Sequence, residues 1–201
     1  SPSLTWYLAE GATHSGFDLF YLFQNPSATS AAQVEVQFLL PAGTPVTRSY
    51  TVEPKSRFNL WVDQVPGLAS TDVSAIVRVT NGVPVIVERA MYLSSGGQVC
   101  RAGRERAGVT TPSANWFLAE GATGDYFDEF VLVANPTTST AQVRATFLLE
   151  NGQTYAKSYA IGPLSRFNIW VDREQFDGVS GYPLANAALS TTIESTNGVP
   201  V

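Results

Sequence analysis

Apolar and polar residues alternate with a period of two along most of the chain, which is the pattern of half-buried β-strands. The clearest case is the segment 33–40, where Val34, Val36 and Phe38 share one face and the residues between them are mainly polar. Further strands are predicted at 5–9, 17–24, 46–52, 56–63, 73–79 and 83–93. Because no segment keeps a period of 3.6, the expected fold class is all-β.

The chain contains a tandem repeat. The segment 6–26, WYLAEGATHSGFDLFYLFQNP, returns at 116–136 as WFLAEGATGDYFDEFVLVANP, with thirteen of twenty-one positions identical. The octapeptides SRFNLWVD and SRFNIWVD follow in the two copies, and TNGVPV closes both. Trp6 and Trp116, which open the copies, are expected to be core or interdomain residues. A repeat of this length indicates two modules of one fold.

Turn residues recur about every eight to twelve positions, as they do in β-sandwiches. The sequence therefore predicts two tandem immunoglobulin-like antiparallel β-sandwich modules with about seven strands each. The predicted boundaries are 1–95 for the first module, 96–115 for a linker, and 116–201 for the second module.

The dipeptide Asn81-Gly82 separates the last two predicted strands of the first module. Asn-Gly favours the type I′ turn, in which both central residues have positive φ, so these two strands are expected to form a hairpin. The second strand contains the neighbours Glu88 and Arg89. They are expected either to shield each other at a sheet edge or to form an ion pair against a neighbouring module.

The second copy stops at Val201, whereas the first continues from the matching Val85 through IVERAMYL. The second module is therefore expected to lack its last strand. Two explanations stay open. The chain is a piece of a longer array, or another molecule supplies the strand by β-augmentation, which would cover an edge that proteins avoid exposing.

The composition indicates a folded extracellular protein. Hydrophobic residues make up 44% and charged residues only 14% of the chain, against about 25% charged in typical domains. The net charge of -5 is spread thinly and argues against a nucleic-acid partner. No apolar run is long enough for a membrane span. Cys100 is the single cysteine and cannot form an intrachain disulfide.

The repeated pattern W-[YF]-L-A-E-G-A-T…F-D…N-P, with the V-x-V-x-F of 34–38 and the ERAMY of 88–92, resembles a bacterial family. It is similar to the immunoglobulin-like repeats of secreted and surface proteins, including the adhesion-related CARDB-like group. The resemblance covers nearly the whole chain, although the second copy has no ERAMY. It implies a structural or adhesive module without an assigned activity.

Trp61 and Trp170 are the candidate binding residues, since each falls on the polar face of its strand together with Arg57 or Arg166. An exposed Trp near an Arg can stack on a sugar ring or anchor a protein interface. The alternative is that a long loop or a neighbouring module folds over each Trp.

Glu10 and Asp18 recur as Glu120 and Asp128 and are the candidate ligands of a Ca²⁺ site. Asp63 also recurs, as Asp172, and Asn25 or nearby carbonyls could contribute. Ca²⁺ requires six to eight oxygen ligands, and the spacing typical of calcium loops is absent. The alternative is that the glutamate accepts backbone N–H groups in its glycine turn and the aspartate caps a loop. No metal site or cofactor is therefore predicted.

No catalytic residues are predicted. Paired carboxylates can hydrolyse glycosides, but duplicated sandwiches without a large cleft are poor candidates for that reaction. His14, the only histidine, aligns with Gly124 in the second copy and is expected to be a loop residue.

Three functions remain as hypotheses. The first is a non-catalytic structural or adhesive module of a secreted or cell-surface bacterial protein, whose partners are neighbouring repeats, identical chains or a surface protein. The second is an accessory carbohydrate-binding module that binds a glycan. The third is a self-assembling fibre subunit completed by strand donation.

Overall fold

The regular structure of the protein is antiparallel β-structure. The computed structural model describes residues 1–95 and 98–201, and the side chains of residues 95, 98–102 and 104 are not described. The described chain forms four sheets and contains two short 3-10 turns, Val62–Gln64 and Val171–Arg173, but no α-helix. No helix in these ranges has the length and hydropathy needed to cross a bilayer. The predicted all-β class is confirmed.

The chain divides into two compact units, unit 1 (Ser1–Thr111) and unit 2 (Pro112–Val201). Unit 1 has two four-stranded sheets, with the strand orders β1-β6-β3-β4 and β5-β2-β7-β8. Both sheets contribute side chains to one hydrophobic core, so unit 1 is a β-sandwich. Its strands are β1 (Thr5–Leu8), β2 (Phe17–Asn25), β3 (Ala32–Leu39), β4 (Val46–Val52), β5 (Ser56–Trp61), β6 (Ser74–Val79), β7 (Ile86–Ser95) and β8 (Gln98–Ala107).

Unit 2 repeats the first six strands of unit 1. One sheet has the order β12-β11-β14-β9, and the other consists of β10 and β13 alone. Side chains from both sheets again form one core. The strands are β9 (Asn115–Leu118), β10 (Phe130–Asn135), β11 (Ala141–Leu149), β12 (Thr154–Ile161), β13 (Ser165–Trp170) and β14 (Leu189–Ser195).

The segment 96–115, which the sequence predicts to be a linker, contains β8. This strand pairs with β7 from Glu88 opposite Ala107 to Ser95 opposite Gln98. The described side chains of this strand, at 103 and 105–107, are exposed, and its sequence QVCRAGRERA shows little apolar alternation. Unit 1 therefore has eight described strands rather than seven, and unit 2 lacks counterparts of two strands rather than one.

The strand order departs from the immunoglobulin order. In an immunoglobulin domain whose strands are labelled A to G, B lies beside E, and C and G flank F. Unit 1 keeps the pairs β2 with β5 and β3 with β6. However, β7 pairs with β2, and β1 pairs with β6. The first and seventh strands thus lie in the sheets opposite to those of an immunoglobulin domain.

The Asn81-Gly82 hairpin prediction is wrong, because β6 and β7 lie in different sheets. Only Gly82 has positive φ, at 77°. The Asn81 side chain instead accepts the Gln33 N–H at 3.0 Å and donates to the Ala31 carbonyl at 2.8 Å. These two bonds hold the turn between β6 and β7, where the chain passes from one sheet to the other, against the start of β3.

The tryptophan at the start of each repeat bonds the chain shortly after this turn. Trp6 is 5% exposed, and its indole N–H donates to the Val85 carbonyl at 2.9 Å. Trp116 packs at the margin of the unit 2 core and donates to the Val201 carbonyl at the same distance. The prediction that these residues belong to the core is confirmed for Trp6, and Trp116 is half-buried.

Candidate functional site

Exposed aromatic rings lie on the outer face of the β5-β2-β7-β8 sheet in unit 1. Trp61 on β5 stands opposite Phe20 on β2, and their rings stack with centroids 5.6 Å apart. Tyr92 on β7 meets Phe20 edge-on at 6.0 Å. Trp61 remains 42% exposed and Tyr92 38% exposed. The three rings form what we call the outer aromatic face of unit 1.

The same pair recurs in unit 2, where Phe130 and Trp170 stack with centroids 5.3 Å apart. Here the long loop after β13 contributes a cation and a further ring. The Arg173 guanidinium lies 5.1 Å from the Trp170 ring centroid and 6.0 Å from that of Tyr182. Trp170 is nevertheless 39% exposed, so the loop covers it only in part.

The two predicted arginines lie on the same strands as these tryptophans but four residues away, about 13 Å along a strand. Arg57 is exposed and donates to the Asn59 side chain from Nε at 3.3 Å and from an Nη at 3.0 Å. Arg166 also bonds the corresponding Asn168, but it is only 3% exposed. In each unit the Trp and the Arg therefore lie on one face of their strand, where the sequence placed them, with an Asn between them.

A groove of about 710 Å³ runs along the outer face of unit 1 at the end opposite the rings. Its lining combines apolar and charged side chains, including Leu22, Gln24, Arg57, Ile86 and Glu88.

The predicted Ca²⁺ ligands are not brought together. Glu10 pairs with Arg89, whose Nη2 lies 2.9 Å from a Glu10 carboxylate oxygen. Glu120, its counterpart in unit 2, is exposed. Among the described residues, no group of three His, Cys, Asp or Glu side chains could hold a metal ion. Among the described residues, neither Asp18 nor Asp128 accepts the backbone hydrogen bond that a loop cap would require.

Arg89 was expected at a sheet edge or against a neighbouring module, but it is 2% exposed within unit 1. It shares the inward face of β7 with Val87 because side chains alternate along a strand. Sequence reasoning missed this residue because the neighbouring Glu88 offered a simpler ion-pair partner. Burial of an arginine requires a counter-charge, and Glu10 supplies it.

The other carboxylate that recurs, Asp63, accepts a backbone hydrogen bond rather than binding a ligand. Asp63 accepts the Leu19 N–H at 2.9 Å, and Asp172 accepts the Glu129 N–H at the same distance. Burial raises the pKa of Asp63, and the bond from Leu19 opposes that rise. Both aspartates therefore fix the start of the strand after the glycine turn.

Glu129 is a substitution inside the repeat, because it occupies the position of Leu19, which is fully buried in unit 1. Its carboxylate lies against Gly121, and its Oε2 is buried without a hydrogen-bond partner in the described residues. Burial, followed by repulsion from Asp172, raises the pKa of Glu129 to about 7. Repeat symmetry identifies this residue as unusual, although the sequence interpretation did not single it out.

His14 lies between a serine and a carboxylate. Its Nδ1 is 2.8 Å from the Ser15 hydroxyl, and its Nε2 is 3.2 Å from the Asp72 carboxylate. In serine hydrolases the nitrogen roles are reversed, with Nε2 facing the serine. Ser15 has positive φ, at 56°, in an exposed loop, and unit 2 has Gly124 and Asp125 at the positions of His14 and Ser15.

The side chain of Cys100 lies outside the described residues.

No family model and no curated protein matches the chain. Among solved structures, the crystal structure of Thermotoga maritima 1070 is similar, with a TM-score of 0.50 and 14% sequence identity. The match covers 55% of this chain and 97% of the Thermotoga maritima chain. At this level of identity, the similarity concerns the fold alone.

Replacing Glu10 with Gln is expected to lower the free energy of unfolding by about 2 kcal/mol, because a buried arginine loses its counter-charge. Glu120→Gln is the matched control, since its carboxylate is exposed, and should change stability by less than about 0.5 kcal/mol. Urea unfolding monitored by tryptophan fluorescence checks both variants. Equal effects of the two substitutions would contradict the assigned role of Glu10.

Glu129 should make stability depend on pH. Because its pKa is raised in the folded state, the folded protein binds more protons than the unfolded chain between its ordinary pKa of 4.5 and about 7. The free energy of unfolding should therefore fall as pH rises through this window, by about 1–2 kcal/mol after allowing for partial exposure.

Urea unfolding at pH 5 and pH 8 measures this difference, and Glu129→Gln should remove it. Glu150→Gln, at an exposed turn, is the control and should leave it unchanged. An unaltered pH dependence in Glu129→Gln would show that another group is responsible.

Proposed function

We propose that the two units are non-catalytic structural or adhesive modules of a secreted or cell-surface bacterial protein. The observation that carries this proposal is that an asparagine, a threonine and an aspartate shared by the two repeats all bond the backbone of their own unit. Their role in stabilising the fold accounts for their repetition without any reaction chemistry.

The buried asparagine at the end of the second strand of each repeat is the clearest example. Asn25 is 1% exposed and donates to the carbonyls of Ser30 and Val52, both at 2.9 Å. Asn135 is fully buried and donates in the same way to Ser139 and Ile161. An asparagine placed in this way satisfies buried carbonyls that would otherwise destabilise the fold.

The repeated threonine of the glycine turn behaves similarly. The Thr13 hydroxyl donates to the Leu68 carbonyl, and the Thr123 hydroxyl donates to the Leu184 carbonyl, each at 2.5 Å. These bonds attach the turn to the loop that precedes the sixth strand. Together with the resemblance to immunoglobulin-like bacterial repeats, they support a role as a scaffold.

A catalytic function would require groups that converge on a substrate, and the Ser15–His14–Asp72 arrangement is the most direct candidate. We expect purified protein to hydrolyse p-nitrophenyl esters, glycosides and a generic peptide substrate no faster than His14→Ala does. The reversed nitrogen roles and the exposed loop are the physical reasons. Ester hydrolysis abolished by Ser15→Ala would contradict a non-catalytic role.

A second candidate function, glycan binding, is favoured by the outer aromatic face. In both units a Trp stacks on the Phe of the adjacent strand and keeps about two-fifths of its surface exposed. Flat, exposed rings of this kind bind the apolar faces of sugars.

On a glycan array, Trp61→Ala and Trp170→Ala should each weaken binding at least tenfold if this candidate is correct, while Tyr126→Ala should not. Tyr126 is the matched control because it is 94% exposed and makes no ring contact with the stacked pair in the described residues. An array without binding would contradict the candidate and leave the scaffold role as the proposal.

A further inference from the structure

The loop that follows β13 in unit 2 is longer than its counterpart in unit 1. Leu68 and Leu184 occupy equivalent positions, since the repeated threonine of the glycine turn donates to the carbonyl of each. Three residues separate Gln64 from Leu68, whereas ten separate Arg173 from Leu184. Arg173 occupies the position of Gln64 in the repeat, and the added residues include Tyr182.

The longer loop is attached to unit 2 at both ends. Near its start, Lys157 on β12 donates to a Glu174 carboxylate oxygen at 2.6 Å. The Phe176 ring packs against Tyr155, with centroids 5.0 Å apart. Near its end, Leu184 is fully buried in the core. The loop side chains next to these anchors are therefore held in position.

Arg173 lies against two aromatic rings and is exposed to solvent. Its guanidinium is 5.1 Å from the Trp170 ring centroid and 6.0 Å from the Tyr182 centroid, distances at which a cation is attracted to a ring. Among the described residues, the Arg173 side chain forms neither an ion pair nor a hydrogen bond, although Asp177 lies on the same loop. Its N–H groups are therefore available to a ligand.

The chemistry of this arrangement favours a carboxylate. A planar guanidinium binds the two oxygens of a carboxylate with parallel hydrogen bonds. Because the rings already restrict the Arg173 side chain, less conformational entropy is lost when the ligand binds. The chain has a net charge of -5, so polyanions are not attracted to it as a whole. Binding of an anion therefore depends on this local cation.

The rings favour a sugar as the carrier of that carboxylate. Trp170 is 39% exposed and Tyr182 is 45% exposed, so both leave apolar surface uncovered beside the guanidinium. Sugar rings have apolar faces that pack on such surface, and a uronic acid carries its carboxylate on the same ring. A glutamate-rich peptide would supply the carboxylate without the apolar ring face.

Unit 1 provides the comparison. Its Trp61 is 42% exposed, close to the value for Trp170, but the uncharged Gln64 stands where unit 2 has Arg173. The shorter loop of unit 1 has no counterpart of Tyr182. The two units therefore present a similar tryptophan with and without an adjacent cation, and charge complementarity assigns the acidic sugar to unit 2.

We propose that unit 2 binds an acidic polysaccharide through Arg173, which holds the carboxylate of a uronic acid residue while Trp170 and Tyr182 pack against the sugar. This inference rests on the glycan-binding candidate described above. It adds the class of sugar and the cation that selects it.

Two tetrasaccharides with the same backbone are the probes. Cellotetraose and β-1,4-linked tetraglucuronate differ only at C6, which is a hydroxymethyl group in the first and a carboxylate in the second. In isothermal titration calorimetry with the full chain at low ionic strength, tetraglucuronate should bind at least about fivefold more tightly. This preference should decrease in about 0.5 M NaCl, because salt screens exposed charges.

Arg173→Gln is the decisive variant, because it installs the residue that unit 1 has at this position and should therefore fold. It should reduce the preference for tetraglucuronate to less than about twofold and leave cellotetraose binding within about twofold of the unaltered chain. Arg173→Lys keeps the charge but not the planar fork, so it should retain only part of the preference. Arg144→Gln is the matched control, since Arg144 is exposed on the other sheet of unit 2, and it should bind both sugars like the unaltered chain.

Side-chain NMR locates the ligand. Tetraglucuronate should shift the Nε–H resonance of Arg173 and the indole N–H resonance of Trp170. The indole resonance of Trp116, whose N–H is bonded to the Val201 carbonyl, should not move. Capped tetraglutamate, which has the same number of carboxylates, should bind at least about fivefold more weakly than tetraglucuronate. Equal binding of these two would identify an acidic peptide as the occupant and overturn the proposal.

The remaining outcomes separate this inference from the function on which it rests. A preference for tetraglucuronate that depends on Arg173 would support it. Equal binding of the two tetrasaccharides by the unaltered chain, or an undiminished preference in Arg173→Gln, would overturn the role of Arg173 and leave glycan binding in place. Binding of neither tetrasaccharide would overturn the inference and count against the glycan-binding candidate, while the scaffold role would stand.

Discussion

Both units depend on the second strand of the repeat, whose buried backbone needs hydrogen-bond partners in its sheet. In unit 1, β2 meets this requirement between β5 and β7, and its inward residues Leu19, Tyr21 and Phe23 are almost fully buried. In the described residues of unit 2, β10 pairs with β13, and its inward residues are smaller.

The unusual polar residues are explained by the same constraint. Arg89 lies inside the core of unit 1 because it belongs to the inward face of β7, and Glu10 neutralises it there. In unit 2 the position of Leu19 contains Glu129, and burial raises the pKa of this carboxyl group to about 7.

Much of the fold could be predicted from the sequence, because alternation and turn residues are local signals. The strand at 33–40, the strand at 46–52 and the start of 56–63 are found nearly where the sequence placed them. The prediction that failed depends on a contact between residues that are far apart in the sequence. The sequence does not show that the Asn81 side chain bonds the Gln33 backbone. At this turn the chain passes from β6 to β7 in the other sheet, so the expected hairpin does not form.

The candidate site was predicted less completely. Trp61 and Trp170 keep about two-fifths of their surface exposed, which is one of the two possibilities that the sequence left open. Their stacking partners Phe20 and Phe130 come from a strand about forty residues earlier in the chain. Arg89 was misplaced because its inward orientation depends on the pairing of β7 with β2 rather than on its sequence neighbours. Strand β8 was missed because a charged edge strand resembles a linker in sequence.

Within the described residues, β10 is paired on one edge and β2 on both, and amide hydrogen exchange of this chain tests that difference most directly. Amides in the interior of β2 should exchange slowly throughout. Those in β10 should alternate, with the amides directed away from β13 exchanging at least a hundredfold faster than those bonded to it. Uniformly slow exchange along β10 would contradict this difference in pairing.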